Sequence, residues 1–458
     1  MSDYRKDLGQ IIKDEKRIIT DQIPNVYLRD KLGRKEGNAA AVVFAKTTEE
    51  VRSIMKYAYE NRIPVTPRGA GTNLVGSTVP DHGGIILDVS SMNRIEEFDE
   101  DTLSVTVQPG VLLKDVQTFV EERGLFYPPD PGEKESSIGG NISTNAGGMR
   151  AVKYGVTRDF VRALEVVTAD GKVLTVGSKN VKDTTGLSLK NLFIGSEGTL
   201  VVVTKAVLRL VAKPETQVSV IIPYPDLRTG IESVLTLLRA DLNPVAVEFM
   251  ERKVVELGEE FSGVSYPRPD AGSYILLSFD GNKEVVDSSI RKAEDLASET
   301  GAIDFVVLTD KKKAGEIWAV RGALVNAVEA VSEQEPLDIV VPIDRTADFI
   351  EYVNALEKKT GVSLISFGHA GDGNVHLCVV RGNRDEKEWE EVLDKVLTEL
   401  YSEVRKMGGL ISGEHGLGLS KRKYFFNETD DNAVNLMNQL KDALDPRHIL
   451  NDKKSYIR

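Results

Sequence analysis

The sequence predicts an α+β protein of at least two domains, and three observations carry that prediction. At 458 residues the chain exceeds one simple core, since domains run to roughly 150 residues. Between residues 37 and 214, short β-runs are separated by glycine-rich loops. From Pro214 onward that texture gives way to regular alternation of apolar strands and amphipathic helices, the pattern of helices laid on an antiparallel sheet, with a split βαβ arrangement as its simplest form.

In chain order, residues 2–22 read as a helix, with Leu8, Ile11, Ile12, Ile18 and Ile19 as a broken apolar stripe. The charged stretch Lys31–Asn38 closes a first segment over 1–36. Strand Ala41–Ala45 precedes a helix opened by the capping box Thr47-x-x-Glu50, with Val51, Ile54, Met55 and Ala58 on its buried face. Strand Ile63–Thr66 runs straight into a loop of Pro67, Arg68, Gly69, Ala70, Gly71, Thr72, Asn73, Leu74, Val75, Gly76 and Ser77. A glycine loop directly after a β-run suits a backbone cradle for phosphate. Its spacing, Gly69-x-Gly71-x-x-x-x-Gly76, is not G-x-G-x-x-G and no helix pattern follows, so a Rossmann site is excluded. Strands Gly84–Val89, Ile95–Phe98 and Leu103–Val107 follow, then a helix over Leu112–Glu122.

The stretch Ser136–Gly148 organises this first half. It holds Gly139, Gly140, Gly147 and Gly148 among Ser, Thr and Asn, without one charge, behind Pro128-Pro-Asp-Pro131. A linker loop is the plain alternative, but Ile138, Ile142 and the two asparagines favour a loop that lets a phosphate-bearing ligand approach backbone N–H groups. Arg162–Val176 alternates as strands around an Asp170-Gly171 hairpin turn. Gly195-Ser-Glu-Gly-Thr199 is a third small-residue turn before the β-rich run Leu200–Leu210. Three such loops imply a large ligand held at several points.

Beyond Pro214, strands Val218–Ile222, Tyr274–Phe279, Ile303–Leu308 and Leu337–Pro342 each precede a helix. The expected organisation is 1–36, a ligand-binding domain over 37–214, a second domain over 215–425 and a helical segment over 426–458. Net charge is −13, from 58 basic and 71 acidic residues, which argues against nucleic-acid binding. Cys378 is the only cysteine, so no intrachain disulfide or thiolate cluster forms. The N-terminus has early acids and no apolar core, so it does not read as a signal peptide, and no apolar run reaches a membrane span; a cytoplasmic protein is expected.

Of five histidines, His82 and His448 read as structural, whereas the other three lie between His369 and His415. His369 and His376 stand at the feet of a hairpin made by Val362–Phe367 and Val375–Val380. Glu414 and His415 occupy another tight loop, Gly413–Gly418. Single histidines are more often structural, but two imidazoles and a carboxylate on glycine-lined loops suit Zn²⁺, Fe²⁺ or Mn²⁺, or acid–base work. Arg321 reads either as a surface arginine or as a fork for a substrate carboxylate.

Taken together, these loops resemble the FAD-dependent D-2-hydroxyacid dehydrogenase family, which includes D-lactate dehydrogenase, the D subunit of glycolate oxidase and D-2-hydroxyglutarate dehydrogenase. The resemblance spans about Glu36 to Asn451, with Pro67–Ser77, Pro128–Gly148, Gly195–Thr199, Gly368–His376 and Gly413–Gly418 in the family's order. It implies a vanillyl-alcohol-oxidase/PCMH-type FAD-binding domain, a ferredoxin-like α+β cap domain and a C-terminal helical segment returning to the FAD domain. By resemblance, Pro67 through Asn73, Gly76 and Ser77 hold the pyrophosphate. Ser136, Ser137, Gly139, Gly140, Asn141, Thr144 and Ala146 line the flavin, Pro131, Gly147 and Tyr154 also bind the cofactor, and Glu197, Gly198 and Val203 support its adenosine or ring side. His369, His376 and Glu414 match the divalent-metal ligands, His415 the catalytic base and Arg321 the carboxylate clamp.

The implied reaction is oxidation of a short D-2-hydroxyacid by hydride transfer to flavin N5. Thr72 stands where covalently flavinylated relatives have histidine, so FAD is expected to bind non-covalently. Val325 and Pro336 fall where the 2-hydroxyglutarate enzymes carry polar contacts for a second carboxylate, which favours D-lactate, then glycolate. The electron acceptor implied is an electron-transfer flavoprotein, an iron–sulfur subunit or a quinone. A non-catalytic flavin- and metal-binding subunit is the alternative from another class.

Overall fold

Ile18–Ile19, expected within a helix, is instead strand β1, paired antiparallel with β2 (Ala41–Phe44). The helix covers only Tyr4–Ile11, and the start of the expected helix lies outside the described residues, 4–458 of this computed structural model. The Asp14 carboxylate caps a 3-10 turn at Glu15–Arg17, and the two β-branched isoleucines beyond it favour a pleated strand over another helical turn. Strands β3 (Val65–Arg68) and β4 (Ile85–Asp88) complete a sheet of order β1-β2-β4-β3, its last three strands parallel. Helix Thr48–Asn61 starts where expected: Thr47 Oγ1 accepts the Glu50 N–H at 3.2 Å. The Glu50 carboxylate also accepts the Lys46 N–H and pairs with Arg17. Val51, Ile54, Met55 and Ala58 are all fully buried.

Strands β5 (Ile95–Asp99), β6 (Ser104–Val107), β8 (Val161–Thr168), β9 (Val173–Gly177) and β10 (Val201–Arg209) form an antiparallel sheet of order β5-β6-β10-β8-β9. Two short strands, β7 (Leu125–Phe126) and β11 (Val211–Ala212), pair beside them. The β8–β9 hairpin turns at Asp170-Gly171, where Gly171 has φ +80°. The glycine-rich stretch is not the open loop expected from its composition: Ile138–Thr144 is a short helix, with Ser137 Oγ accepting the Gly140 N–H. Glycine is needed there for contact, since a Cβ at Gly139 would lie 2.6 Å from Pro109 Cβ.

All of these elements belong to one compact unit, comprising residues up to Gly147, Val156–Lys213 and Glu414–Arg458. Its last helix, Asp431–Leu444, carries a fully buried Lys441. The Lys441 ammonium is paired with Asp445 at 2.6 Å and donates to the Thr199 and Leu450 carbonyls. Beyond it, Leu450 pairs in parallel with Val65, so the tail runs beside the strand that feeds the first glycine loop.

Lys454, 2% exposed, donates to the Ser77 carbonyl and to Asn451 Oδ1. Burial lowers its pKa to about 7, although Asp81 and Glu197 oppose that shift. An amine whose folded pKa lies below its unfolded value binds fewer protons folded than unfolded. Its cost to stability is therefore full below pH 7 and is relieved toward the ordinary lysine value. Lys454→Met is expected to gain stability relative to the parent at pH 6 and to lose most of that advantage by about pH 10. Urea unfolding at both pH values measures it, and a pH-independent difference would contradict the buried-amine account.

The second unit comprises Gly148–Gly155 and Pro214–Gly413. The segment expected over 215–425 thus runs past its end. Its sheet contains β12 (Thr216–Tyr224), β13 (Ala246–Glu251), β14 (Ser273–Gly281), β15 (Val306–Leu308), β16 (Gln334–Val340), β17 (Leu364–His369) and β18 (Asn374–Val380). The order is β15-β12-β14-β13-β17-β18-β16, antiparallel throughout. Its first four strands follow the ferredoxin-like order and its last three repeat that order, the fourth position being reduced to an antiparallel bridge between Leu410 and Val340. Helices Arg252–Ser262 and Lys311–Val331 pack together on an apolar cluster that includes Met250, Tyr274, Leu276, Ile365, Phe367 and Cys378. Strand β13 and helix Arg252–Ser262 were not anticipated from the sequence.

Candidate functional site

In the first unit, β3 delivers the chain into the Gly69–Ser77 loop. Asn73 Oδ1 accepts the Val75 and Ser77 N–H groups at 3.0 and 2.9 Å, which closes the loop on itself. Gly71 has φ +73°, and a Cβ there would strike the Arg68 guanidinium. Arg68 is buried over the Tyr27 ring, 5.3 Å from its centroid. Burial holds its pKa below the usual arginine value despite Asp88. The first two glycine stretches meet: a Cβ at Gly69 would clash with Ser137 Oγ, which also accepts the Ala70 N–H at 3.3 Å. Ser136 Oγ is buried without a protein partner among the described residues. A glycine-lined cradle with a buried hydroxyl left over fits a phosphate-bearing cofactor.

The third stretch joins the same place. Glu197 is buried in a left-handed conformation, φ +50°. Its carboxylate accepts from protein donors: Ser77 Oγ, Ser455 Oγ and the Leu417 and Gly418 N–H groups, at 2.6 to 2.9 Å. Gly198 has φ +68° and Val203 is buried on β10. Glu414 and His415 also lie in this unit. Their ligand atoms come within 4.8 Å of one another, and Asn73 Nδ2 donates to the His415 carbonyl at 3.4 Å. A Cβ at Gly147 would come 3.1 Å from Glu414 Oε2. Tyr154 falls in the second unit, where its hydroxyl donates to Asp280 at 2.9 Å beside Lys153.

In the second unit, β13, β17 and β18 bring a buried charged group together. Glu248, fully buried, stands opposite His369 in register. His369 Nδ1 lies 2.7 and 2.9 Å from its two carboxylate oxygens. Arg321, from helix Lys311–Val331, donates through Nε at 2.9 Å and approaches through Nη2 at 2.5 Å. Its guanidinium also sits over Phe367, 5.0 Å from the centroid. Burial opposes charge on Glu248, but His369 and Arg321 outweigh it and hold the carboxyl below its ordinary range. An ionised partner keeps the proton of His369 on Nδ1 and turns Nε2 outward as a base. That Nε2 stands 3.2 Å from His376 Nε2. Two imidazole nitrogens bound to one tetrahedral metal stand about 3.3 Å apart, so the donor set fits a divalent ion.

Asp338 faces His376 across β16 and β18, with ligand atoms within 4.8 Å. Its carboxylate accepts from Asn374 Nδ2 at 2.8 Å, Ser412 Oγ at 3.0 Å and the Gly413 N–H at 2.9 Å. Gly413 is the residue before Glu414 in the chain. Val325 packs on the apolar cluster and Pro336 stands opposite Cys378.

The structure resembles p-cresol methylhydroxylase with substrate bound, with TM-score 0.82 and 17% identity over 99% of this chain and 96% of that one. It also resembles 4-ethylphenol oxidase from Gulosibacter chungangensis, with TM-score 0.78 and 19% identity over 99% and 97%. The fold is thus of the vanillyl-alcohol-oxidase/PCMH type. Residues 39–177 match the FAD binding domain model, on the part of the chain that carries the glycine cradle, and the protein is an FAD-dependent oxidoreductase. Residues 213–455 match the C-terminal domain of FAD linked oxidases, and the chain belongs to that family. It is 40% identical to D-lactate dehydrogenase of Anaerostipes hadrus over 97% of this chain and 95% of the relative. It is 37% identical to glycolate oxidase subunit GlcD of Bacillus subtilis over 94% and 92%.

Glu248, Asp338 and Asn374 were not singled out from the sequence. Glu248 left a signal: it is the lone carboxylate inside the apolar run Val245-Ala-Val-Glu-Phe-Met250, and a buried charge demands a partner. Asp338 left a weaker one, in Leu337-Asp-Ile-Val-Val341.

Proposed function

We propose that this protein is an FAD-dependent dehydrogenase that oxidises a short D-2-hydroxyacid to the 2-oxoacid, D-lactate first and glycolate second. The observation that carries the reading is the buried Arg321–Glu248–His369 chain with His376 Nε2 3.2 Å from His369 Nε2. A guanidinium beside converging imidazoles suits a carboxylate with a neighbouring hydroxyl. When bound, FAD supplies the two-electron acceptor and a divalent metal (Zn, Fe or Mn) supplies Lewis acidity. His369, His376 and Glu414 hold the metal, and the Pro67–Ser77 and Ser136–Gly147 stretches hold the FAD without a covalent link at Thr72. Arg321 takes the substrate carboxylate through Nη1, the guanidinium nitrogen that Glu248 does not engage. His415 accepts the hydroxyl proton. Apolar Val325 and Pro336 favour a monocarboxylate, and the likeness to a D-lactate dehydrogenase supports D-lactate.

Electrons then pass to a protein partner, an electron-transfer flavoprotein first. The likeness to GlcD supports a second reading, in which the chain is a glycolate oxidase subunit that reduces an iron–sulfur partner or quinone. Among the described residues no helix is long and apolar enough to cross a membrane, in keeping with a cytoplasmic place. The test is anaerobic titration of the purified yellow protein with D-lactate, L-lactate, glycolate and D-2-hydroxyglutarate, with and without EDTA. D-Lactate is expected to bleach the flavin, glycolate more slowly, and EDTA to suppress bleaching until Zn²⁺ or Mn²⁺ is restored. Bleaching by none of the four would overturn the dehydrogenase reading.

A further inference from the structure

We infer that Glu197 is a positioning residue that fixes the His415 loop against the cofactor loop, a role that rests on the reading of His415 as the proton acceptor. An ionised carboxylate offers about four acceptor sites, and protein donors fill those of Glu197. Oε1 takes the Leu417 N–H and Ser455 Oγ, while Oε2 takes the Gly418 N–H and Ser77 Oγ. It therefore has no acceptor site left for the cofactor and acts through the two loops it joins. Ser77 ends the first glycine loop; Leu417 and Gly418 follow His415 by two and three residues.

The loop after His415 is wedged as well as bonded. Gly416 has φ +85°, and a Cβ there would come 3.0 Å from the Glu197 carboxyl carbon. A Cβ at Gly418 would strike the Val75 carbonyl, which accepts the Leu419 N–H at 2.8 Å. Asn73 holds the His415 carbonyl itself. The tail locks the joint from behind: Asn451 Nδ2 donates to the Ser77 and Glu197 carbonyls at 3.1 and 2.8 Å. A non-glycine residue held at positive φ persists where its surroundings over-determine it, and here the carboxylate is the reason. An amide could not replace it. Its NH₂ would face one backbone N–H that cannot turn away, whereas the hydroxyls can rotate.

The test is a double-mutant cycle of Glu197→Gln and His415→Asn, read as anaerobic flavin reduction by D-lactate, together with amide hydrogen exchange at Leu417 and Gly418. Glu197→Gln is expected to slow reduction about 10- to 100-fold, as a misplacement of about 1 Å does, and to speed exchange at both amides. In the His415→Asn background it should slow the residual rate by less than about twofold, because the two changes act through one group. Equal slowing in both backgrounds, or an unchanged rate and unchanged exchange, would overturn the inference. Should Glu197→Gln lose its flavin, Ser455→Ala removes one donor and keeps the carboxylate. It is expected to show the same non-additivity with a few-fold effect, and additivity would again overturn the role. Faster exchange without any reduction by D-lactate in the parent protein would keep the tether and reject the dehydrogenase reading instead.

Discussion

Replacing His415 by Asn is expected to leave FAD content and the flavin spectrum intact while slowing flavin reduction by D-lactate about 10²- to 10⁴-fold, the usual worth of a general base. Asparagine preserves size and hydrogen bonding but cannot take a proton. The loop is anchored by backbone groups that the substitution keeps: the His415 carbonyl, bonded by Asn73, and the Leu417 and Gly418 N–H groups, bonded by Glu197. The cofactor cradle, centred on Asn73, Ser136 and Ser137, keeps its hydrogen bonds in the variant. Rapid-mixing reduction under anaerobic conditions measures the effect. A rate within about threefold of the parent would remove His415 from the proton-transfer role.

The second large effect is expected at Glu248. Glu248→Ala strands the Arg321 guanidinium, 6% exposed, in the protein interior and frees the His369 ring to turn. Removing one partner of a buried ion pair costs about 3–5 kcal/mol, and the loss should appear as a lower urea midpoint with an unchanged slope. On the proposed role of His369 as a metal ligand, loss of the carboxylate behind it is expected to weaken metal affinity by about 10- to 100-fold, read as Zn²⁺ retained after graded chelation. Glu248→Gln keeps a hydrogen bond to His369 Nδ1 and should fall between alanine and the parent on both measures. A destabilisation below about 1 kcal/mol with unchanged Zn²⁺ retention would show that the buried pair neither supports the fold nor orients His369.

Much of this was legible in the chain because local chemistry and tertiary role coincide there. The Thr47 cap, the Asp170-Gly171 turn and the apolar face of Val51, Ile54, Met55 and Ala58 are short-range signals, and all hold in the structure. That the three glycine stretches belong together was likewise readable, since glycine is required where backbones meet, as Gly69 meets Ser137. The reading failed where tertiary pairing overrode local pattern. Ile18–Ile19 continued a helical stripe on paper, yet its β-branched pair joined the edge of β2. Ser136–Gly148 looked like open loop because its glycines hide a helix whose cap comes from Ser137.

The sequence by itself therefore determined the α+β class, the glycine cradle and the candidate histidines, because these depend on residue types at fixed spacing. Only the tertiary structure decided which carboxylates serve them. Glu248 reaches His369 from 121 positions away and Glu197 reaches Gly418 from 221. Such pairs are set by sheet register and by the return of the tail to the strand at Val65, and no periodicity in the chain records either.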